Sequence, residues 1–124
     1  MAQVLTIAFG GALGAVARFG LSNGVYAWLG RGFPYGTLAV NVLGSLVMGF
    51  LAIVLVERLS LAPEWRAGIL VGFLGAFTTF STFSLETLGL LESGAWLKAV
   101  SNMVLSVVLC VLAAAAGMML GRQL

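Results

Sequence analysis

Four long apolar stretches are the feature that most constrains how this chain can fold. They span roughly residues 4–28, 36–56, 67–91 and 97–120, and each is long enough to cross the hydrocarbon core of a bilayer. The breaks between them, at 30–34, 57–64 and 92–94, hold turn and charged residues. Aromatic residues stand beside these breaks, as in the interfacial belts of membrane proteins: Tyr26, Trp28, Tyr35, Trp65 and Trp96. The pattern predicts an all-α membrane protein, with residues 1–124 forming a single four-helix transmembrane domain in the lipid bilayer.

The composition excludes several other classes of protein. Hydrophobic residues make up 61% of the chain and charged residues only 8%, against about 25% charged in soluble domains. The six basic residues are spread along the chain without forming a patch, so nucleic acid is not an expected partner. Histidine is absent and there is one cysteine. With no nucleophile–base pair, carboxylate pair or phosphate-binding loop, the chain is not expected to be an enzyme.

The loop charges give little guidance on orientation in the membrane. Short breaks predict an antiparallel up-down bundle, in which alternate breaks lie on the same side. One side would then carry Arg58, Arg66 and Arg122, and the other would carry Arg31 and Lys98. The positive-inside rule acts on this small difference. Both a single orientation and insertion in both orientations remain open.

Polar side chains lie inside three of the apolar stretches. Arg18 lies well within the first, where an arginine faces protein or water unless its long stem reaches an interface. Asn41 shares a helix face with Thr37 and Ser45, which suits either a polar path or an interhelical hydrogen bond. The same four-residue spacing relates Asn102, Ser106 and Cys110 in the fourth stretch. Cys110 taken alone is better explained as a small apolar filler.

The third stretch has an unusual composition for a membrane span. Residues 72–86 crowd hydroxyl residues, phenylalanines and two glycines into its middle and end on Glu86. Glycine, serine and threonine are mediocre helix formers, so we expect the third helix to be broken near mid-membrane. Freed backbone groups are tolerated there only where protein, water or an ion satisfies them. The segment therefore predicts a cavity or an ion site.

The chemistry left to these residues is hydrogen-bond donation between aromatic rings. Amide and hydroxyl donors alternate with phenylalanines, whose ring edges carry the positive part of the quadrupole. Such a lane suits a small, hard anion. On the residues alone, ordinary packing three residues apart on one helix explains Phe80 and Phe83 better than a role in such a lane.

Three segments resemble the Fluc (CrcB-type) fluoride channels, and the similarity extends over essentially the whole chain. The segments are residues 10–19, which include Arg18, residues 36–44, which include Asn41, and residues 72–86. The resemblance implies an antiparallel, dual-topology homodimer in the cell membrane, the inner membrane of a bacterium. Two pores at the dimer interface would export cytoplasmic fluoride passively and protect the cell from its toxicity.

The resemblance also implies roles for particular residues. A structural sodium ion (Na+) on the two-fold axis would be held by the backbone carbonyls of Gly75 and Thr78. The anion pore would be lined by Asn41, Phe80, Phe83, Ser81, Thr82, Glu86, Ser106, Cys110 and Arg18. Of these, Ser81, Thr82 and Glu86 match positions near one end of the path, and Arg18 matches a vestibule position. The chain departs from the family pattern at Ala76, where glycine is frequent, and at Cys110, where a hydroxyl residue is usual.

Two other functions remain open at the level of sequence. The first is a small four-helix, dual-topology drug or guanidinium exporter. Such exporters need an acid within the first helix to exchange protons for a cation, and the first helix here carries Arg18 and no acid. The second is an assembly protein without transport activity, against which only the composition of the third stretch argues.

Overall fold

The computed structural model describes residues 1–124 and is helical between short connections. The helices are α1 (Ala2–Leu29), α2 (Tyr35–Arg58), α3 (residues 63–77), α4 (Phe80–Glu92) and α5 (Trp96–Gln123). Helices α3 and α4 together make the span Pro63–Glu92. Four helical spans are long and apolar enough to cross a membrane. This confirms the prediction of an all-helical protein with four such spans.

The second connection is shorter than the sequence predicts. It covers residues 59–62 instead of 57–64, because α2 continues to Arg58 with wider turns. The Leu59 N–H there bonds to the Val54 carbonyl, five residues back, at 2.8 Å. Ser60 turns the chain with a left-handed φ of 49°. Pro63 then starts α3, where the first helical position needs no N–H donor.

Glycines bring two pairs of helices into backbone contact. A Cβ added to Gly10 of α1 would lie 2.1 Å from the Gly68 carbonyl oxygen of α3. A Cβ added to Gly49 of α2 would lie 2.1 Å from the Ala114 carbonyl oxygen of α5. No other residue fits at such approaches, which is how small residues allow close helix packing in lipid. The bundle is therefore built from the pairs α1–α3 and α2–α5.

The third span is interrupted between α3 and α4. Helix α3 ends at Phe77, and Thr78 (φ −89°, ψ 158°) and Thr79 (φ −151°, ψ 117°) are extended. Helix α4 starts at Phe80 with Thr79 as its N-cap, whose Oγ1 accepts a hydrogen bond from the Thr82 N–H at 3.1 Å. The interruption packs on α2 at Gly44, where an added Cβ would lie 2.3 Å from Thr78 Cγ2. Two threonines and one facing glycine thus shape this segment.

Large apolar side chains remain exposed along α1 and α5. Phe9, Phe19, Val107 and Val111 each leave more than half of their surface uncovered. A soluble monomer rarely exposes so extensive an apolar surface. In a chain with four membrane-length helices, this surface is the part available to lipid or to another membrane chain.

Candidate ion pathway

A cleft of about 410 Å³ lies between α2, the interruption, α4 and α5. Its lining brings together most of the central residues that the sequence analysis named: Asn41, Thr78, Phe80, Phe83, Ser106 and Cys110. No lining side chain carries a charge. The polar atoms come from amide and hydroxyl groups, and the rest of the wall is apolar. Such a wall can exchange hydrogen bonds with a small ion without holding it by a full opposite charge.

Asn41 is bonded twice to the backbone of the interruption. Its Nδ2 donates to the Thr79 carbonyl at 3.0 Å, and its Oδ1 accepts from the Thr79 N–H at 2.7 Å. The side chain therefore substitutes for the helical partners that Thr79 lacks. A primary amide has two N–H donors, and only one is used here. The second N–H of Asn41 is available at the wall of the cleft.

The break leaves carbonyls without their usual helical partners. Thr79 N–H, the helical partner of the Gly75 carbonyl, donates to Asn41 instead. Thr82 N–H, the helical partner of the Thr78 carbonyl, donates to Thr79 Oγ1. Carbonyl oxygens are the ligands that hard monovalent and divalent cations take in proteins. The residues at the break therefore fit a cation bound through the backbone oxygens of Gly75 and Thr78.

Arg18 satisfies a third carbonyl at the same break. Its Nε donates to the Ala76 carbonyl oxygen at 3.0 Å, across 58 residues of sequence. The guanidinium thus lies at the C-terminal end of α3, where a cation also complements the helix dipole. Arg18 does not line the cleft. Its contact in this structure is with the backbone of the third span.

Phe80 and Phe83 both line the cleft, but their rings differ in solvent exposure. The ring centroids are 5.3 Å apart, with an interplanar angle of 42°. Phe83 is buried, whereas 78% of Phe80 is exposed. The Phe80 side of the cleft is therefore open in the single chain, and the ring is free to contact a neighbouring molecule.

The polar residues of α5 are engaged with α4 and not only with the cleft. Ser106 Oγ donates to Asn102 Oδ1 at 3.4 Å, and Asn102 Nδ2 donates to Thr87 Oγ1 at 2.9 Å. Thr87 Oγ1 in turn donates to the Phe83 carbonyl at 2.7 Å. Cys110, one turn beyond Ser106, lines the cleft as a partly exposed free thiol. The register of Asn102, Ser106 and Cys110 on one face is as the sequence predicts.

Glu86 lies apart from this cleft in a cluster of its own. Tyr26 OH donates to Glu86 Oε2 at 2.7 Å, and Thr37 Oγ1 donates to Glu86 Oε1. A second cleft of about 290 Å³ borders Glu86, Tyr26 and Arg31. The Arg31 guanidinium stands 4.5 Å from the centre of the Tyr26 ring. Tyr26, one of the aromatic residues beside the breaks, is buried here and joins α1 to α2 and α4.

The predicted site residues thus divide into two groups. One group lines the larger cleft: Asn41, Thr78, Phe80, Phe83, Ser106 and Cys110. The other group does not line it: Gly75, Ser81, Thr82, Glu86 and Arg18. Ser81 is exposed beside Thr79, with 3.5 Å between their hydroxyl oxygens. Thr87 belongs to the polar network but was not identified from the sequence. Its spacing of four residues from Phe83 was the only available signal, and a single threonine that bonds to its own helix is common.

Comparisons with known proteins point to one family. The family model described as CrcB-like protein, Camphor Resistance (CrcB), matches residues 5–118. A fluoride-specific ion channel FluC from Magnetococcus marinus is 59% identical over 97% of this chain and 98% of its own length. One from Coxiella burnetii is 51% identical over 98% of this chain and 99% of its own. One from Methylococcus capsulatus is 60% identical over 98% of this chain, which spans only 54% of that protein's length.

Proposed function

Because the chain belongs to the CrcB-like family, we propose that it is a fluoride-specific ion channel. It is a multi-pass membrane protein and not an enzyme, and the ion it transports is fluoride. Fluoride enters cells as uncharged HF and ionises in the cytoplasm. A passive exit for the anion would therefore protect the cell, and the membrane concerned is the cell membrane, the inner membrane in a bacterium.

The observation that carries the proposal is the uncharged cleft beside the interruption. Fluoride is small and strongly hydrated, so a conducting path must replace its water with closely spaced donors. The free N–H of Asn41 and the hydroxyl of Ser45 supply donors at the wall, and the Ser106 hydroxyl becomes one when its proton turns away from Asn102. The positive edges of Phe80 and Phe83 supply weaker contacts between them. Weak, successive contacts suit conduction, because an ion must leave each site as readily as it enters.

We also propose that a second, antiparallel copy of the chain completes this path. The exposed ring of Phe80 leaves one side of the cleft open, and a neighbouring subunit would close it. The near-even division of loop charges supports insertion in both orientations. Two copies related by a two-fold axis in the membrane plane would each contribute one cleft, which gives two pores per dimer.

A sodium ion at the centre of that dimer is part of the same proposal. The Gly75 and Thr78 carbonyls have lost their helical donors, and unpaired carbonyls are costly in a membrane interior. We place the interruption near mid-membrane, so that both subunits offer these oxygens to one ion. Purification with N-methylglucamine in place of sodium should then lower the thermal stability of the dimer. Equal stability in the two cations would remove the support for this site.

Fluoride efflux from proteoliposomes tests the proposed function. Liposomes loaded with potassium fluoride should release fluoride when valinomycin lets potassium leave with it and balance the charge. Liposomes loaded with potassium chloride should retain chloride. The family comparisons do not favour the drug or guanidinium exporter. Such an exporter would show uptake of a guanidinium cation driven by a proton gradient and no passive fluoride release. Absence of both activities would favour the assembly protein.

A further inference from the structure

A directed chain of hydrogen bonds connects the wall of the cleft to the backbone of α4. It starts at the Ser106 hydroxyl, passes through Asn102 and Thr87, and ends at the Phe83 carbonyl. Each group donates to the next one in the same direction. Asn102 stands at the centre of the chain with only 1% of its surface exposed. It is one of the two largest fully buried side chains in the protein.

The number of donors in this chain fixes where each proton lies. A hydroxyl group has a single proton to donate, and Thr87 gives its proton to the Phe83 carbonyl at 2.7 Å. Thr87 can therefore only accept a hydrogen bond from Asn102. The NH₂ group of the Asn102 side chain thus faces Thr87, and its Oδ1 faces Ser106. The proton of Ser106 then points to Asn102. In this state Ser106 presents lone pairs, and not a donor, to the cleft that it lines.

The bond from Ser106 to Asn102 is the weakest link of the chain. Its length of 3.4 Å compares with 2.9 Å and 2.7 Å for the other two. A hydrogen bond to an anion is about twice as strong as one between neutral groups. An anion in the cleft would therefore compete successfully for the Ser106 proton. Rotation of one hydroxyl is the only movement required.

On the premise of the proposed fluoride path, we propose that Asn102 is a positioning residue that sets the affinity of the cleft for fluoride. It does so by competing with the anion for the proton of Ser106. Without the Asn102 side chain, one acceptor for the Ser106 proton would be lost, so the proton would be more available to the cleft and fluoride would be bound more tightly. With Asn102 present, the competing hydrogen bond offsets part of the free energy of fluoride binding. Fluoride then leaves the cleft more readily, which favours conduction.

Replacement of Asn102 by leucine, which is similar in size and has no polar atom, tests this role. In the Asn102→Leu variant, fluoride flux should saturate at about a fivefold lower fluoride concentration, the equivalent of one neutral hydrogen bond. The maximal flux should fall at the same time. The matched control is the same replacement in a Ser106→Ala background, where no competing proton exists and the half-saturating concentration should not change. Gel filtration checks that all variants remain folded.

The background comparison separates the positioning role from a structural one. The role of Asn102 would be overturned if Asn102→Leu changed the half-saturating fluoride concentration equally with and without Ser106, or in neither background. The channel function would remain intact in both cases. Failure of the parent protein to release fluoride would overturn the proposed function and this inference together. The two failures are therefore distinguishable.

A spectroscopic measurement on the parent protein covers the case in which Asn102→Leu does not fold. The chain has asparagines only at positions 23, 41 and 102, so ¹⁵N-asparagine labelling gives a small set of side-chain amide signals. Replacing chloride by fluoride should shift the Asn102 amide signal in the parent and not in Ser106→Ala. An Asn102 signal that fluoride does not move in the parent would overturn the proposal.

Discussion

Asn41 allows the stability of the interruption and the passage of the anion to be tested separately. Its side chain makes two hydrogen bonds to the Thr79 backbone, at 3.0 Å and 2.7 Å. Polar contacts between membrane helices contribute about 0.6 to 1.7 kcal/mol each. Asn41→Ala removes both and should destabilise the protein by about 1 to 3 kcal/mol. Asn41→Asp keeps the acceptor for the Thr79 N–H but sets a carboxylate oxygen against the Thr79 carbonyl, so it should destabilise the protein by at least as much.

The two replacements should differ more clearly in fluoride flux. A carboxylate about 4 Å from the anion repels it by about 4 kcal/mol at an effective dielectric constant of about 20. That repulsion corresponds to a loss of roughly a thousandfold in occupancy, so Asn41→Asp should abolish conduction. Asn41→Ala removes a donor without adding charge and should conduct slowly. Efflux from liposomes gives the flux, and the monodisperse fraction remaining after heating gives the stability.

Asn23 provides the matched control. Its side chain accepts only one long hydrogen bond, from Arg31 at 3.5 Å, so Asn23→Ala and Asn23→Asp should match the parent in both assays. If Asn41→Ala were as heat-stable as Asn23→Ala, the two hydrogen bonds from Asn41 to the Thr79 backbone would not be what stabilises the interruption. If Asn41→Asp conducted at the parent rate, Asn41 would not lie on the anion path.

Further changes test the rings, the close contact at the interruption and the topology. Phe80→Ile and Phe83→Ile should slow or abolish fluoride efflux while gel filtration shows a folded protein, and parental rates in both would mean that the rings only pack. Gly44→Ala should destabilise the protein by about 1 to 3 kcal/mol through overpacking, since its Cβ would lie 2.3 Å from Thr78 Cγ2. Gly89→Ala, with open space around it, is the control that should not unfold at a lower temperature. A cysteine appended to the C-terminus should be labelled from both faces of the membrane in cells, and labelling from one face only would contradict dual topology.

The spans were predictable because their signal is local. An apolar stretch of membrane length, bounded by glycine, proline and charged residues, indicates a membrane-spanning segment whatever its neighbours are. The second connection was predicted too long because the charges at 57 and 58 suggested a loop. Instead, α2 continues through both residues with wider turns.

The central site was predictable to the extent that helical register determines it. Phe80 and Phe83 on one helix, and Ser106 and Cys110 on another, reach the same cleft as their spacing suggests. The Tyr26–Glu86 contact was not predictable, because the two residues are 60 positions apart and meet only through packing. Nor was the direction in which Ser106 donates its proton, since that depends on a buried network extending to Thr87.

The reversal potential of currents through the reconstituted protein tests the central claim most directly. In a planar bilayer with fluoride at different concentrations on the two sides and equal chloride, the current should reverse at the equilibrium potential of fluoride. Changing the chloride or proton gradient should leave that potential unmoved, as expected for a passive and selective channel. A reversal potential that follows chloride would contradict fluoride selectivity, and transport that follows the proton gradient would identify an exchanger.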